Sequence, residues 1–271
     1  MARSEAARDA VVRFAIAARA PFPWPALLAY LDMRLIDGYE RIADACYERR
    51  GEGYALRVRH DARRGALQVE AQGMTRAAAR ARVEPLFSPR HDGHAIDAAL
   101  ARDALLAPRI ARCPGFRPLG CWSAFELCLR TVIGQQVTVA AARTLMARLL
   151  ARCGEPTPAR VAAANLDALG MPGARVAAIR AFAAAVAAGD IALDAAWPAL
   201  NERLSRQPGF GPWTRAYLAI RLGRDADAFP DSDIGLLRAA GIATPKALRA
   251  RAEAWRPYRG HAATLLWALA P

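Results

Sequence analysis

Residues 204–214 of the chain read Leu204-Ser205-Arg206-Gln207-Pro208-Gly209-Phe210-Gly211-Pro212-Trp213-Thr214. Pro208 predicts the end of a helix, because proline removes a backbone donor and clashes with the preceding turn. Gly209 and Gly211 are expected to supply the unusual backbone angles of a tight hairpin, and Thr214 to cap the next helix. The predicted product is a row of outward-facing N–H groups at a helix start, which can bind a phosphate without reading sequence. Taken alone, the pattern also fits an ordinary glycine-containing turn.

A carboxylate stands at a second predicted helix start, twenty residues after Trp213, in the segment Phe229-Pro230-Asp231-Ser232-Asp233-Ile234-Gly235-Leu236. Asp233 directly precedes the helical stretch 234–240, where an aspartate is a favourable N-cap because its oxygens accept free amides of the first turn. By itself, Asp233 therefore needs no role beyond capping. Asp231 is expected to be solvated or to cap the same helix.

Three further segments extend the pattern in both directions along the chain. They are 117–121 (Arg-Pro-Leu-Gly-Cys), 123–138 (with Ser-Ala-Phe-Glu and Val-Ile-Gly-Gln-Gln-Val-Thr), and 254–267 (with Ala-Trp-Arg-Pro-Tyr-Arg and Leu-Leu-Trp). With these segments and the hairpin, the chain resembles the helix-hairpin-helix superfamily of DNA glycosylases. Within it, the chain is similar to the alkylbase glycosylases of the bacterial 3-methyladenine DNA glycosylase II type. The resemblance covers nearly the whole chain.

The resemblance implies a role for each matching position. Asp233 would be the catalytic carboxylate, and Gln136 the wedge that fills the gap left by a flipped base, although it is polar where the family's wedge is aliphatic. The other implied roles are base-pocket aromatic residues (Trp213, Tyr217, Trp267), hairpin amides that grip the DNA backbone (Gly209, Gly211, Thr214), and backbone carbonyls that hold a sodium or potassium ion (Ser205, Gln207, Phe210).

Two absences in the sequence narrow the expected chemistry. Related bifunctional glycosylases carry, at the position of Trp213, a lysine that attacks C1′ and forms a Schiff base, whereas the only lysine here is Lys246. The superfamily's iron–sulfur branch needs four closely spaced cysteines near the C-terminus, and no cysteine follows Cys153. We therefore expect a monofunctional enzyme without an iron–sulfur cluster, which hydrolyses the glycosidic bond of alkylated bases and leaves an abasic site.

The hydrophobic pattern predicts an α+β fold. Residues 54–58 and 67–71 alternate apolar and polar side chains around a turn-forming stretch, which predicts an antiparallel hairpin. From about residue 97 onward, helical spacing dominates. The resemblance implies a TATA-binding-protein-like α/β domain (1–98) and a helix-hairpin-helix glycosylase body (99–271). In the body, the hairpin-bearing subdomain is about 124–225, the second is about 99–123 plus 226–271, and the active site lies between them.

Charge and composition favour a nucleic-acid partner in a reducing compartment. The 271-residue chain has a net charge of +13, of which residues 106–271 carry +10. The preference for arginine over lysine can also arise from genome base composition. Five cysteines without a CxxC pair argue against a disulfide framework, and no apolar run is long enough for a membrane span. We expect a cytoplasmic monomer that binds double-stranded DNA, and no membrane association.

Two alternatives to an alkylbase glycosylase stay open at this point. One is a non-catalytic helix-hairpin-helix protein that binds DNA but has lost the chemistry. The other is a glycosylase for an uncharged lesion such as hypoxanthine or uracil, since the shape of the pocket decides between substrates.

Overall fold

The computed structural model describes residues 11–269, which begin with a five-stranded antiparallel sheet. The sheet order is β1-β5-β4-β3-β2, so the first strand lies at one edge beside the last. This topology confirms the expected α+β class, with an N-terminal sheet followed by a helical body. The strands are β1 (Val11–Ala17), β2 (Glu40–Ala43), β3 (Cys46–Gly51), β4 (Tyr54–Asp61) and β5 (Ala66–Gln72).

The predicted hairpin is formed by β4 and β5, and its register follows the alternation of the sequence. Val58 pairs with Val69, and both side chains are buried, whereas Arg57 lies exposed on the opposite face of the sheet. Strand β3 has a pattern that the sequence does not reveal. In β3, Glu48 and Arg49 are buried although they are charged, so this strand has no simple apolar and polar alternation.

The rest of the described chain is helical. Several helices begin at a capping threonine, serine or aspartate, which accepts an amide of the first turn and satisfies a donor that the helix cannot use. The helices are α1 (Trp24–Asp32), α2 (Arg76–Phe87), α3 (Gly93–Leu100), α4 (Ala107–Arg112), α5 (Ala124–Ile133), α6 (Val139–Cys153), α7 (Pro158–Ala163), α8 (Gly173–Ala187), α9 (Trp197–Ser205), α10 (Pro212–Arg221), α11 (Ile234–Ala240), α12 (Pro245–Ala252) and α13 (Arg259–Ala268), with a 3₁₀ turn at Glu253–Trp255.

Two hydrophobic cores hold these elements together. The first unites the sheet and α1–α4 with the C-terminal helices, and Trp255 is completely buried within it. The second lies within the helices from α5 to α10, where Phe210 of the hairpin packs 4.7 Å from the ring of Phe182. The boundary between residues 98 and 99, and the division of the helical body into two subdomains, stay predictions. Within residues 11–269, no helix is both long and apolar enough to cross a membrane.

Candidate active site

The side chain of Asp233 is held by hydrogen bonds from three N–H groups. Its Oδ1 accepts from the backbone amide of Leu236 at 2.8 Å and from Nε1 of Trp267 at 3.0 Å. Its Oδ2 accepts from Nε1 of Trp213 at 2.8 Å. The carboxylate is thus an N-cap of α11, as expected, and is also clamped between two indoles. Because each carboxylate oxygen can accept two hydrogen bonds, Oδ2 retains room for a further donor such as water.

The clamp requires three helices to converge. Trp213 lies in the first turn of α10, Asp233 directly precedes α11, and Trp267 lies near the end of α13. Gly235 leaves room for the capping carboxylate, since a Cβ at this position would lie 2.9 Å from Asp233 Oδ1, whereas its distance of 3.7 Å from Cδ1 of Trp267 would be an ordinary contact. The requirement for glycine in the Asp-Ile-Gly segment is therefore set by the carboxylate itself.

Three aromatic rings form a wall next to the carboxylate. Trp213 stacks on Tyr217, with ring centroids 5.5 Å apart and planes inclined by 9°. Trp267 meets Tyr217 edge-on, also at 5.5 Å. The structure therefore brings together Trp213, Tyr217 and Trp267 with Asp233, the arrangement that the resemblance implied. The sequence did not indicate that the two tryptophans also donate to the carboxylate.

A pocket of about 550 Å³ opens in front of these residues, within the size range of small-molecule sites. Asp233, the three aromatic residues and Tyr30 all line it. Cys121 also lines the pocket, but burial raises the pKa of its thiol to about 11, so the sulfur stays protonated and is a poor nucleophile. None of the described residues that line the pocket is a lysine.

One wall of the pocket carries a buried positive charge. Arg221 donates from Nη1 to the hydroxyl oxygen of Tyr217, and from Nη2 to the carbonyl oxygen of Gly120 at 2.7 Å. Among residues 11–269, no carboxylate forms an ion pair with Arg221. Because Tyr217 accepts from Arg221, its own O–H proton is free to donate into the pocket.

A buried network of charges joins the sheet to the body behind the pocket. Arg49 of β3 donates to Glu126 of α5 at 2.5 Å, and Arg130, one turn further along α5, donates to the same carboxylate at 2.6 Å. Burial alone would raise the pKa of Glu126, but the two guanidinium groups outweigh it and lower the pKa to about 2. The carboxylate therefore stays charged and fixes α5, which leads into the predicted wedge. The Ser-Ala-Phe-Glu motif contained Glu126, but its partner in β3 is distant in sequence.

The hairpin forms between α9 and α10, with two corrections to the expected details. Gly209 has a φ of +84°, as predicted, whereas Gly211 has a φ of −63° and needs no glycine for its backbone angles. Gly211, rather than Thr214, is the N-cap of α10, because Pro212 already occupies the first turn of the helix. Within residues 11–269, the amides of Gly209, Gly211 and Thr214 have no protein acceptor. They stay available to a phosphate.

The predicted wedge lies on an exposed loop between α5 and α6. Gln136 has a φ of +57°, and its side chain is exposed; the residue does not line the pocket, although its neighbour Val137 does. Gln135, which the sequence did not single out, ties this loop to the hairpin. Its Nε2 donates to the Gly209 carbonyl oxygen at 2.6 Å and to Thr214 Oγ1 at 2.9 Å. The wedge loop and the hairpin are therefore one connected unit.

Two of the three carbonyl groups expected to hold a monovalent ion, those of Gln207 and Phe210, already accept hydrogen bonds within the protein. The Gln207 oxygen accepts the amide of Phe210 at 3.2 Å. The Phe210 oxygen accepts Nη1 of Arg215 at 3.3 Å, so a cationic side chain of the protein already lies where the metal ion would bind. Two positive charges at one carbonyl repel each other. The bound ion stays a prediction, and Arg215 competes with it for the Phe210 oxygen.

Two family models match the chain in sequence order. One is described as the AlkA N-terminal domain and matches residues 13–123; the other, described as HhH-GPD superfamily base excision DNA repair protein, matches residues 129–255. In overall fold, the chain is similar to a 3-methyladenine DNA-glycosylase from Archaeoglobus fulgidus, with a TM-score of 0.80 and 18% identity over 94% of this chain and 97% of that one.

Two curated relatives are similar over most of the chain. DNA-3-methyladenine glycosylase 2 of Escherichia coli is 33% identical over 274 residues, which cover 91% of this chain and 94% of that protein. A probable bifunctional transcriptional activator/DNA repair enzyme AlkA of Mycobacterium tuberculosis is 32% identical over 97% of this chain, which spans only 58% of the relative's length. The chain belongs to the DNA-3-methyladenine glycosylase 2 family within the HhH-GPD superfamily of base excision DNA repair proteins.

Proposed function

We propose that this chain is a monofunctional DNA glycosylase, which flips 3-methyladenine and similar alkylated bases out of duplex DNA and hydrolyses their N-glycosidic bond. The observation that carries the proposal is the Asp233 carboxylate, fixed by the indoles of Trp213 and Trp267 at the edge of an aromatic pocket. The names of the E. coli and A. fulgidus relatives support the same substrate. We further expect a cytoplasmic monomer on double-stranded DNA, without an iron–sulfur cluster.

The aromatic wall supplies selectivity for an alkylated base. A base alkylated at a ring nitrogen carries a positive charge, and stacking a cation on an aromatic face contributes about 1–2 kcal/mol. Trp213 and Tyr217 stack nearly parallel, and both line the pocket next to Asp233, where a flipped base can contact an aromatic ring. Flipping the base costs a few kcal/mol, and the cost is smallest for damaged pairs. Damage thus favours both extrusion from the duplex and retention in the pocket.

The chemical step needs a carboxylate and no strong acid. Water attacks C1′ while the C1′–N bond breaks, and the electron pair of that bond leaves with the base and neutralises its positive charge. The proton of the water passes to Asp233, whose Oδ2 keeps the lone pair that Trp213 does not engage. In the same position, the negative charge stabilises the oxocarbenium character that develops on the sugar. The hydrogen bonds from Leu236 N, Trp213 Nε1 and Trp267 Nε1 keep the carboxylate in a fixed orientation during this step.

The absence of lyase activity is part of the proposal. A Schiff base requires an amine next to C1′, whereas the residue at this place is Trp213, and its Nε1 is committed to Asp233. Lys246 is exposed near the start of α12 and does not line the pocket. Hydrolysis by water is therefore the chemistry that these side chains support.

Incubation of the protein with alkylated duplex DNA is expected to release free 3-methyladenine and to leave abasic sites without strand scission. Released bases are measured by chromatography, and strand breaks by denaturing electrophoresis before and after alkali. Borohydride should trap no covalent complex with the protein. Tight DNA binding without any base release would favour the non-catalytic alternative, and a trapped complex would contradict the monofunctional mechanism.

Arg221 favours an uncharged lesion, such as hypoxanthine or uracil, as a second candidate substrate. Arg221 is 7% exposed and lines the pocket, and a buried positive charge opposes the entry of a second one. The free O–H of Tyr217 would suit a carbonyl oxygen of such a base. A panel of duplexes that contain 3-methyladenine, hypoxanthine or uracil distinguishes the two candidates by their single-turnover rates.

Gln135→Ala is expected to reduce excision from fully paired duplexes by roughly tenfold. The change removes two hydrogen bonds between the wedge loop and the hairpin, each worth about 1 kcal/mol net, so Gln136 loses its fixed position against the DNA. The effect is measured as the single-turnover rate of excision. Gln136→Ala is the matched variant, because it removes the wedge side chain but keeps the hydrogen bonds between Gln135 and the hairpin.

The loss of excision rate should be smaller for both variants when the lesion lies opposite an abasic site. The damaged base is then already unpaired, so less free energy is needed to flip it. An equal loss on both substrates would contradict a role for Gln135 in positioning the wedge.

A further inference from the structure

Arg215 stands at a position of the hairpin to which nothing in the sequence pattern assigned a role. It lies in the first turns of α10, and its half-buried side chain folds back towards the loop. Its Nη1 donates to the carbonyl oxygen of Phe210 at 3.3 Å. The side chain of Phe210 is buried in the second core, so this carbonyl is a rigid anchor for the guanidinium.

The charge of Arg215 is not neutralised by the protein. Within residues 11–269, no carboxylate forms an ion pair with it, and its remaining guanidinium nitrogens have no protein acceptor. Arg206, on the other side of the hairpin, differs in this respect, because it pairs with Glu202 at 2.5 Å. Of these two arginines, only Arg215 offers a full charge and free donors to an anion.

The free donors of Arg215 and the unpaired amides belong to the same hairpin, because the guanidinium is anchored at the Phe210 carbonyl between Gly209 and Gly211. Thr214 is its neighbour in the chain, and the amides of Gly209, Gly211 and Thr214 lack protein acceptors. An anion held by these amides would meet a guanidinium that is already fixed to the Phe210 carbonyl. A phosphate suits this arrangement, since guanidinium groups and backbone amides are its usual ligands.

We propose that Arg215 supplies the fixed positive charge that holds a DNA phosphate at the hairpin, and that it does so in place of a bound monovalent metal ion. The inference rests on the proposed function, because it takes DNA as the ligand. A side-chain cation needs no uptake from solution, so the grip of this hairpin is independent of which salt is present. The contact involves only the backbone of the DNA and adds no sequence preference.

The first test varies the cation around the unmodified protein. Binding to a duplex with a stable abasic-site analogue is measured by fluorescence anisotropy in sodium, potassium or tetramethylammonium chloride at one ionic strength. Tetramethylammonium is too large to enter a cage of carbonyl groups. We expect the three Kd values to agree within about twofold. A Kd that is tenfold or more weaker in tetramethylammonium would show a bound metal ion and overturn the inference.

The second test replaces Arg215 by Gln, which keeps a polar side chain of similar reach. Kd is expected to rise roughly tenfold, and the slope of log Kd against log salt to decrease by about one, the value for one lost phosphate contact. Arg206→Gln is the matched control, and it should change both quantities little because Glu202 already neutralises that charge. Circular dichroism and thermal melting check that both variants fold.

The outcomes separate the inference from the proposed function. If the unmodified protein releases alkylated bases but Arg215→Gln binds DNA with unchanged Kd and slope, only the role of Arg215 is wrong. If the unmodified protein neither binds lesion-containing duplex nor releases a base, the proposed function fails, and the inference fails with it.

Discussion

Asp233→Asn is expected to lower the single-turnover rate of base release by on the order of 10³-fold. The variant loses the charge that would accept a proton from water or stabilise the oxocarbenium-like sugar. It also loses the clamp, because the NH₂ group of asparagine must face either the Trp213 indole or the pair formed by Leu236 N and Trp267 Nε1, all of which are donors. On one side of the carboxamide, its NH₂ group then faces another N–H donor, and no hydrogen bond can form there.

The fold and the affinity for DNA should survive this change. Asparagine caps a helix about as well as aspartate, so α11 keeps its N-terminal cap and the melting temperature should change little. The unpaired amides of the hairpin belong to Gly209, Gly211 and Thr214, and none of them bonds to the substituted side chain. Binding to an abasic-site analogue, measured by anisotropy, is therefore expected to stay close to that of the unmodified protein.

Asp231→Asn is the matched control, since it removes a carboxylate two residues away. Asp231 forms an ion pair with Arg249, whose side chain is mostly exposed, and such surface pairs contribute little. The Asp231→Asn variant should release bases at a rate within about twofold of that of the unmodified protein. Normal turnover by Asp233→Asn, or an equal loss in both variants, would refute the catalytic assignment of Asp233.

Local sequence signals predicted the parts of the site that depend on a few neighbouring residues. The turn at Gly209 and the cap at Asp233 follow from short-range backbone chemistry, and both are present. The expected cap at Thr214 was wrong for an equally local reason. Pro212 has a fixed φ and no amide, so the helix begins at that residue and the cap moves back to Gly211.

Contacts between distant segments could not be predicted in the same way. The indole of Trp267 meets Asp233 across 34 residues, and only the convergence of α11 and α13 makes that contact. Strand β3 was not predicted individually because its buried Arg49 does not look like a core residue; its partner, Glu126, is 77 residues away. Family resemblance supplied the roles of Asp233 and Trp267, but it supplied neither the hydrogen bond between them nor the pairing of Arg49 with Glu126.

Gly235→Ala is expected to reduce base release by roughly 10²-fold while the stability of the protein changes little. The added Cβ would lie 2.9 Å from Asp233 Oδ1, closer than a methyl group tolerates. Oδ1 cannot yield freely, because Leu236 N and Trp267 Nε1 both hold it. The carboxylate must therefore rotate or shift away from C1′, and a displacement on the order of 1 Å can cost 10²-fold in rate.

Stability should change far less than activity, and this makes the test decisive. Alanine favours a helix over glycine by up to about 1 kcal/mol, which offsets the cost of straining the hydrogen bonds to Asp233 Oδ1, so the melting temperature of Gly235→Ala should change little. Gly173→Ala is the matched control, since Gly173 also lies in the first turn of a helix and a Cβ there meets nothing within 4 Å. It should melt at an equal or slightly higher temperature and keep full activity. Full activity of Gly235→Ala would mean that catalysis tolerates a displaced carboxylate. A loss of activity shared with Gly173→Ala would attribute the effect to helix rigidity instead of the aim of Asp233.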